Sequence, residues 1–110
     1  MSINSRIVTA LDGLTDEPAA AETYKGEAAL YLVFNCTHIP DNFGDDDAGH
    51  YRVLVQVHLY APPEENIVKL RREIPRRLVA AGFTRPSITP ASDANGQHFV
   101  FECEDAEAVE

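Results

Sequence analysis

The 110-residue sequence holds no tryptophan, one methionine and two cysteines. Basic side chains are scarce: 9 Lys and Arg stand against 18 Asp and Glu, a formal net charge of −9 at pH 7. Each shortage excludes something. The basic deficit argues against a sequence-reading nucleic-acid binder, which needs a broadly basic surface. Cys36 and Cys103 allow at most one disulfide. Both fall in apolar, strand-like runs and read as buried free thiols. The longest unbroken apolar run is seven residues, 28–34, far short of the about 20 that a membrane helix needs. Residues 1–6 carry no basic stretch leading into an apolar one, so no secretory signal is expected.

What is present is ordinary for a globular chain, with 45% hydrophobic and 25% charged residues. The length suits one domain with one modest core, spanning residues 1–110, with an acidic tail at 105–110 expected to fray. Residues 2–14 read as a helix, because Ile3, Ile7, Leu11 and Leu14 recur at helical spacing and Ser2 can cap the start. Residues 15–22 read as a connector, and 23–26 as a short edge strand around Tyr24. Two strong strands follow, 27–37 and 51–60. Leu30, Leu32, Phe34 and Cys36 alternate along the first, and Val53, Val55, Val57 and Leu59 along the second.

The prolines and acids at 62–65 signal a helix start, and Ile67, Leu70, Ile74, Leu78 and Ala81 continue at helical spacing. Pro75 lies inside that pattern, where it removes a hydrogen bond at about 3 kcal/mol. A kink near Arg71 and Arg72, or two helical pieces, is therefore expected. Gly82 is a natural stop. Residues 83–89 read as a third strand, in which Pro86 implies an edge position or a break. Asn95-Gly96 marks a turn, and 97–104 reads as the last strand. The expected fold class is α+β: a mostly antiparallel four- to five-stranded sheet with two helices on one face, in the order α-(β)-β-β-α-β-β.

Motifs that carry chemistry are few. The histidines His38, His50, His58 and His98 make no zinc-binding spacing. His58 and His98 read as partly exposed sheet residues. No phosphate-cradling glycine loop or Gly-x-Ser-x-Gly turn occurs. A Cys–His nucleophile pair would have to be built from Cys36 or Cys103 and a strand histidine, and thiols in apolar runs are usually inert. No metal, cofactor or catalytic site is expected. The segment Asp41-Asn42-Phe43-Gly44-Asp45-Asp46-Asp47 does not follow the spacing of a calcium loop, and no glutamate closes it.

The charge is segregated. Residues 69–85 hold Lys69, Arg71, Arg72, Arg76, Arg77 and Arg85 against Glu73, a local balance of +5, and the rest of the chain sums to −14. Lys69, Arg71, Arg72, Arg76 and Arg77 form a basic helix face, which is a solvated surface, a contact to an acidic neighbouring subunit, or a contact to a phosphate backbone without sequence reading. Asp41, Phe43, Asp45, Asp46 and Asp47 form an acidic loop with one aromatic, which either folds back or anchors a partner. Opposite charges on one chain allow copies to associate head to tail, and such contacts close into rings when the rotation permits.

A resemblance rests on Tyr24-Lys25-Gly26, Tyr31-Leu32-Val33-Phe34, Asp41-Asn42-Phe43-Gly44-Asp45-Asp46, the alternating strand from Tyr51 to Tyr60, and Ala81-Gly82-Phe83. This succession resembles the tail-terminator and minor-tail-component family of long-tailed bacteriophages, over about residues 30–101. The resemblance implies an α+β subunit of a hexameric ring in the virion. The ring would cap the tail tube, meet tail tube and head–tail connector proteins, and let genome DNA pass through its lumen. It implies neither enzyme activity nor a cofactor. A head–tail connector ring protein has similar size and topology. A monomeric acidic binding module, such as a DNA-mimic inhibitor, would use the same net charge differently.

Overall fold

A computed structural model describes residues 2–40 and 51–105. The chain forms helix α1 (Ile3–Ala10), strands β1 (Ala20–Ala21), β2 (Tyr31–Pro40) and β3 (Tyr51–Ala61), helix α2 (Val68–Ala80), and strands β4 (Ser87–Pro90) and β5 (Gln97–Glu104). The five strands make one sheet in the order β1-β2-β3-β5-β4. All pairings are antiparallel except β1 with β2, which is parallel. The α+β class, the element order and the two-helix layer are as the residue pattern predicts.

Both helices cover the same sheet face. Register places Phe34, Val57 and Phe101 side by side across β2, β3 and β5, with Leu32, Leu59 and Phe99 in the next row. Ile7 and Leu11 of the α1 segment and Ile74 and Leu78 of α2 are buried against these rows in one cluster. Full burial of each such side chain contributes about 1.5–3 kcal/mol. The other face carries Tyr31, Val33, His58, Tyr60, His98 and Val100, which remain half-exposed.

Several boundaries differ from the sequence reading, each for a local reason. Helix α1 stops at Ala10, and Gly13 then takes φ +82° in the turn that follows. Ser2 caps its start, accepting from Ser5 N–H at 3.1 Å. The short edge strand lies at Ala20–Ala21 instead of around Tyr24. Glu22 at φ 71° turns the chain out of the ladder, and Tyr24 leaves to stack on Tyr31. Strand β2 begins at Tyr31, later than expected, because Ala28 N–H is held by the Tyr24 hydroxyl at 2.7 Å and not by a neighbouring strand.

Helix α2 starts at Val68, after the prolines. Glu65 N–H bonds Pro62 C=O in a separate turn, and Asn66 Oδ1 accepts from Val68 N–H at 3.1 Å. The expected division at Pro75 does not occur, and α2 is one 13-residue helix through it. The buried Ile74 and Leu78 on either side of Pro75 anchor the helix to the core and offset the lost backbone bond. Strand β4 is only Ser87–Pro90: it lies at the sheet edge and begins after Pro86, which breaks the expected strand, while Phe83 makes an isolated bridge to Asp105.

Asp105 does not fray with the acidic tail but locks the fold. Arg6 donates to both of its carboxylate oxygens at 2.9 and 3.2 Å and to Ala81 C=O at 2.9 Å. The same guanidinium lies 4.6 Å from the Phe83 ring centroid. Residues 106–110 lie outside the described residues.

Candidate functional site

The five basic residues singled out on α2 divide into two groups. Arg77 is engaged within the fold. It pairs with Glu73 one turn earlier, and its Nη1 donates to Ala10 C=O at 3.0 Å and Asp12 C=O at 3.1 Å, satisfying carbonyls at the end of α1. Arg71 lies over the Phe99 ring at 4.2 Å and covers the core edge. Lys69, Arg72 and Arg76 face outward. Together with Gly13, Leu14, Leu70 and Glu73 they line a groove of about 440 Å³ between the end of the α1 segment and the stretch of α2 from Lys69 to Arg76. Arg76 approaches Glu73 only to 3.9 Å, and Lys69 and Arg72 make no ion pair among the described residues.

The helical period explains this division. Ile74 and Leu78 point at the sheet, so residues at 69, 72 and 76 fall on the outer side. Leu70 and Leu14 are only partly buried against the core, which leaves the groove an apolar floor beneath its basic rim. The acidic-loop residues Asp41, Phe43, Asp45, Asp46 and Asp47 lie outside the described residues. Their place in the chain is nevertheless set, because they follow Pro40, which is paired with Tyr51. That pair is the last of the β2–β3 hairpin. Strand β5 accompanies β3 only as far as Leu54, so the hairpin end at 38–40 and 51–53 projects past the ladder with β5.

A feature that the sequence did not single out lies on the helix-free sheet face. Tyr24 stacks on Tyr31 at 4.0 Å between centroids, Tyr31 on Tyr60 at 5.0 Å, and Tyr60 on His98 at 4.2 Å. His98 also meets His58, with Nε2 2.9 Å from His58 Nδ1. Burial lowers the pKa of both histidines, and their mutual repulsion lowers that of His58 further. Tyr31, His58, Tyr60 and His98 alternate with the inward residues of their strands, which puts these four rings on this face. The alignment of the row needed the register, which places Tyr60 opposite both Tyr31 and His98.

A Cys–His pair is not formed. Cys36 and Cys103 point to the helix-covered face, and His58 and His98 to the other. Both cysteines are free, with β3 between their strands. Cys103 is buried, which pushes its thiol up to about 12, and Cys36, half-buried, is raised in the same direction. Among the described residues no group of three or more His, Cys, Asp or Glu is placed to hold a metal ion, and no helix is long and apolar enough to cross a membrane. No family model, no curated protein and no solved structure matches the chain.

Proposed function

We propose that this chain is a structural ring subunit of a phage tail or neck, a tail terminator or minor tail protein that caps the tail tube and helps join it to the head. It carries out no reaction and needs no cofactor in this role. The observation that carries the reading is the basic rim of Lys69, Arg72 and Arg76, exposed on a molecule that is otherwise strongly acidic. A surface of that kind is complementary to the rest of its own chain, as a self-assembling subunit requires. The α+β layer architecture is the one that the resemblance to tail-terminator proteins implies. Carboxylates on a lumen wall would repel the phosphate backbone and keep passing DNA from sticking.

The test is assembly. Purified protein is examined by light scattering alone and after mixing with tail tubes that lack their terminator. A ring-sized species, alone or on the tube end, supports the reading. A strict monomer that never joins a tail, and that instead captures one basic host protein, would replace it with the acidic inhibitor reading.

A further inference from the structure

We infer that the groove between the α1 segment and α2 receives the acidic segment at 41–47 of a second copy of this chain, which rests on the ring reading above. The groove carries three cations, Lys69, Arg72 and Arg76, against one acid, Glu73, at its rim, and is apolar at its floor, through Leu14 and Leu70. Residues 41–47 carry four aspartates and one phenylalanine with no basic residue. Acid on the rim and an aromatic on the floor match both parts of the groove. The volume of about 440 Å³ falls within the range that accommodates small ligands.

The fold places the groove and the hairpin end from which the segment leaves, Pro40 and Tyr51, towards opposite ends of the molecule. Helix α2 begins after the end of β3 and runs back along it. Its far end is held beside Val53, through the Phe83–Asp105 bridge and the Asp105 N–H bond to Val53 C=O. The groove residues of α2 run from Lys69 to Arg76, and Lys69 and Leu70 lie roughly 15–17 Å of helix from that end. The hairpin continues past Val53 by two further rungs, about 7 Å, in the opposite direction. Lys69 and the floor residue Leu70 are thus roughly 22–24 Å along the molecule from the start of the segment in their own chain. Asp45 is five residues from Pro40 and reaches about 17 Å at full extension, and Phe43 about 10 Å. The groove of a neighbour has no such limit. An acidic pole meeting a basic pole is a heterologous contact, which repeats from copy to copy and closes into a ring when its rotation allows.

The experiment uses the full chain. Chains labelled with ¹⁴N and ¹⁵N are mixed and treated with a carbodiimide, which condenses the Lys69 amine with a neighbouring carboxylate. Peptides joining Lys69 to the 41–47 segment in mixed-label form are expected. Same-label peptides only would place the segment on its own groove and overturn the proposal, as would joining of Lys69 to other acids alone. In parallel, Arg72→Glu/Arg76→Glu and Asp45→Lys/Asp46→Lys variants are compared with the unaltered chain by sedimentation. Circular dichroism confirms that each is folded. Each variant alone should associate at least tenfold more weakly, and an equimolar mixture should recover association, because every tip then meets a groove of opposite charge. Variants that associate like the unaltered chain would overturn the docking and leave the ring reading to another surface. An unaltered chain that never associates, alone or on tail tubes, would remove both.

Discussion

Replacing Arg6 by Ala should destabilise the protein by about 3 kcal/mol. Arg6 joins three elements: its own helix, the end of α2 through Ala81 C=O, and the chain after β5 through Asp105. The pair is largely withdrawn from water, with side-chain exposure of 19% for Arg6 and 5% for Asp105. Removing one partner of such a pair leaves a desolvated charge behind, at about 3–5 kcal/mol. Loss of the contact with Phe83 adds about 0.5–1 kcal/mol. Relaxation and water entry around the vacated site act in the other direction, which places the expectation near the lower end. Asp105→Asn keeps an oxygen acceptor towards the guanidinium and should cost about 1–2 kcal/mol. Urea unfolding of Arg6→Ala, Asp105→Ala and the double variant forms a cycle, with a coupling energy of about 1.5 kcal/mol or more expected at unchanged m. A cost below about 1 kcal/mol for Arg6→Ala, or a coupling within about 0.5 kcal/mol of zero, would refute the assignment of Asp105 to the folded core.

Three other outcomes follow from the packing. His58 and His98 have folded pKa values below the unfolded value of about 6.5, so between the two the unfolded chain binds more protons. Stability should hold above pH 6.5 and fall as pH drops towards 5; a urea midpoint that does not move between pH 7 and pH 5, or a His98→Phe variant with the same slope, would contradict this. Pro75→Ala restores a backbone N–H opposite Arg71 C=O and should raise stability by about 1–2 kcal/mol after the added freedom of the unfolded chain is counted, which thermal unfolding will show as a higher Tm. Cys36 should react with a thiol reagent well before Cys103, whose thiol is buried and raised to about 12; equal rates would mean that β5 opens as readily as β2.

The strand alternation and the helical stripes were legible because one face of each element is buried. The sequence 53–59 assigns its own inward residues, and 97–104 does the same. Features that depend on pairing between distant residues were not. Arg6 and Asp105 are ordinary charged residues in sequence, and their bond exists only because α1 lies beside the end of β5. The row from Tyr24 to His98 likewise needs the register of three strands. Pro75 was read from its local cost alone, yet tertiary burial of Ile74 and Leu78 outweighs that cost. Of the basic helix, the charge was legible, but not its division into Arg71 and Arg77, used internally, and Lys69, Arg72 and Arg76, turned outward.

The strand order has a consequence for synthesis. β3 lies between β2 and β5, yet Gln97 is made 36 residues after Ala61, and Asp105 is 99 residues from Arg6. At about 5–20 residues per second, the first helix waits roughly 5–20 s for the carboxylate that anchors it. From the synthesis of Ala61 to that of Gln97, roughly 2–7 s, the inner edge of β3 is bare, with its N–H and C=O groups open to any passing strand. A ribosome stalled before Gln97, or a chain cut there, therefore presents the protein in the form most able to pair with a second nascent copy through the wrong edge.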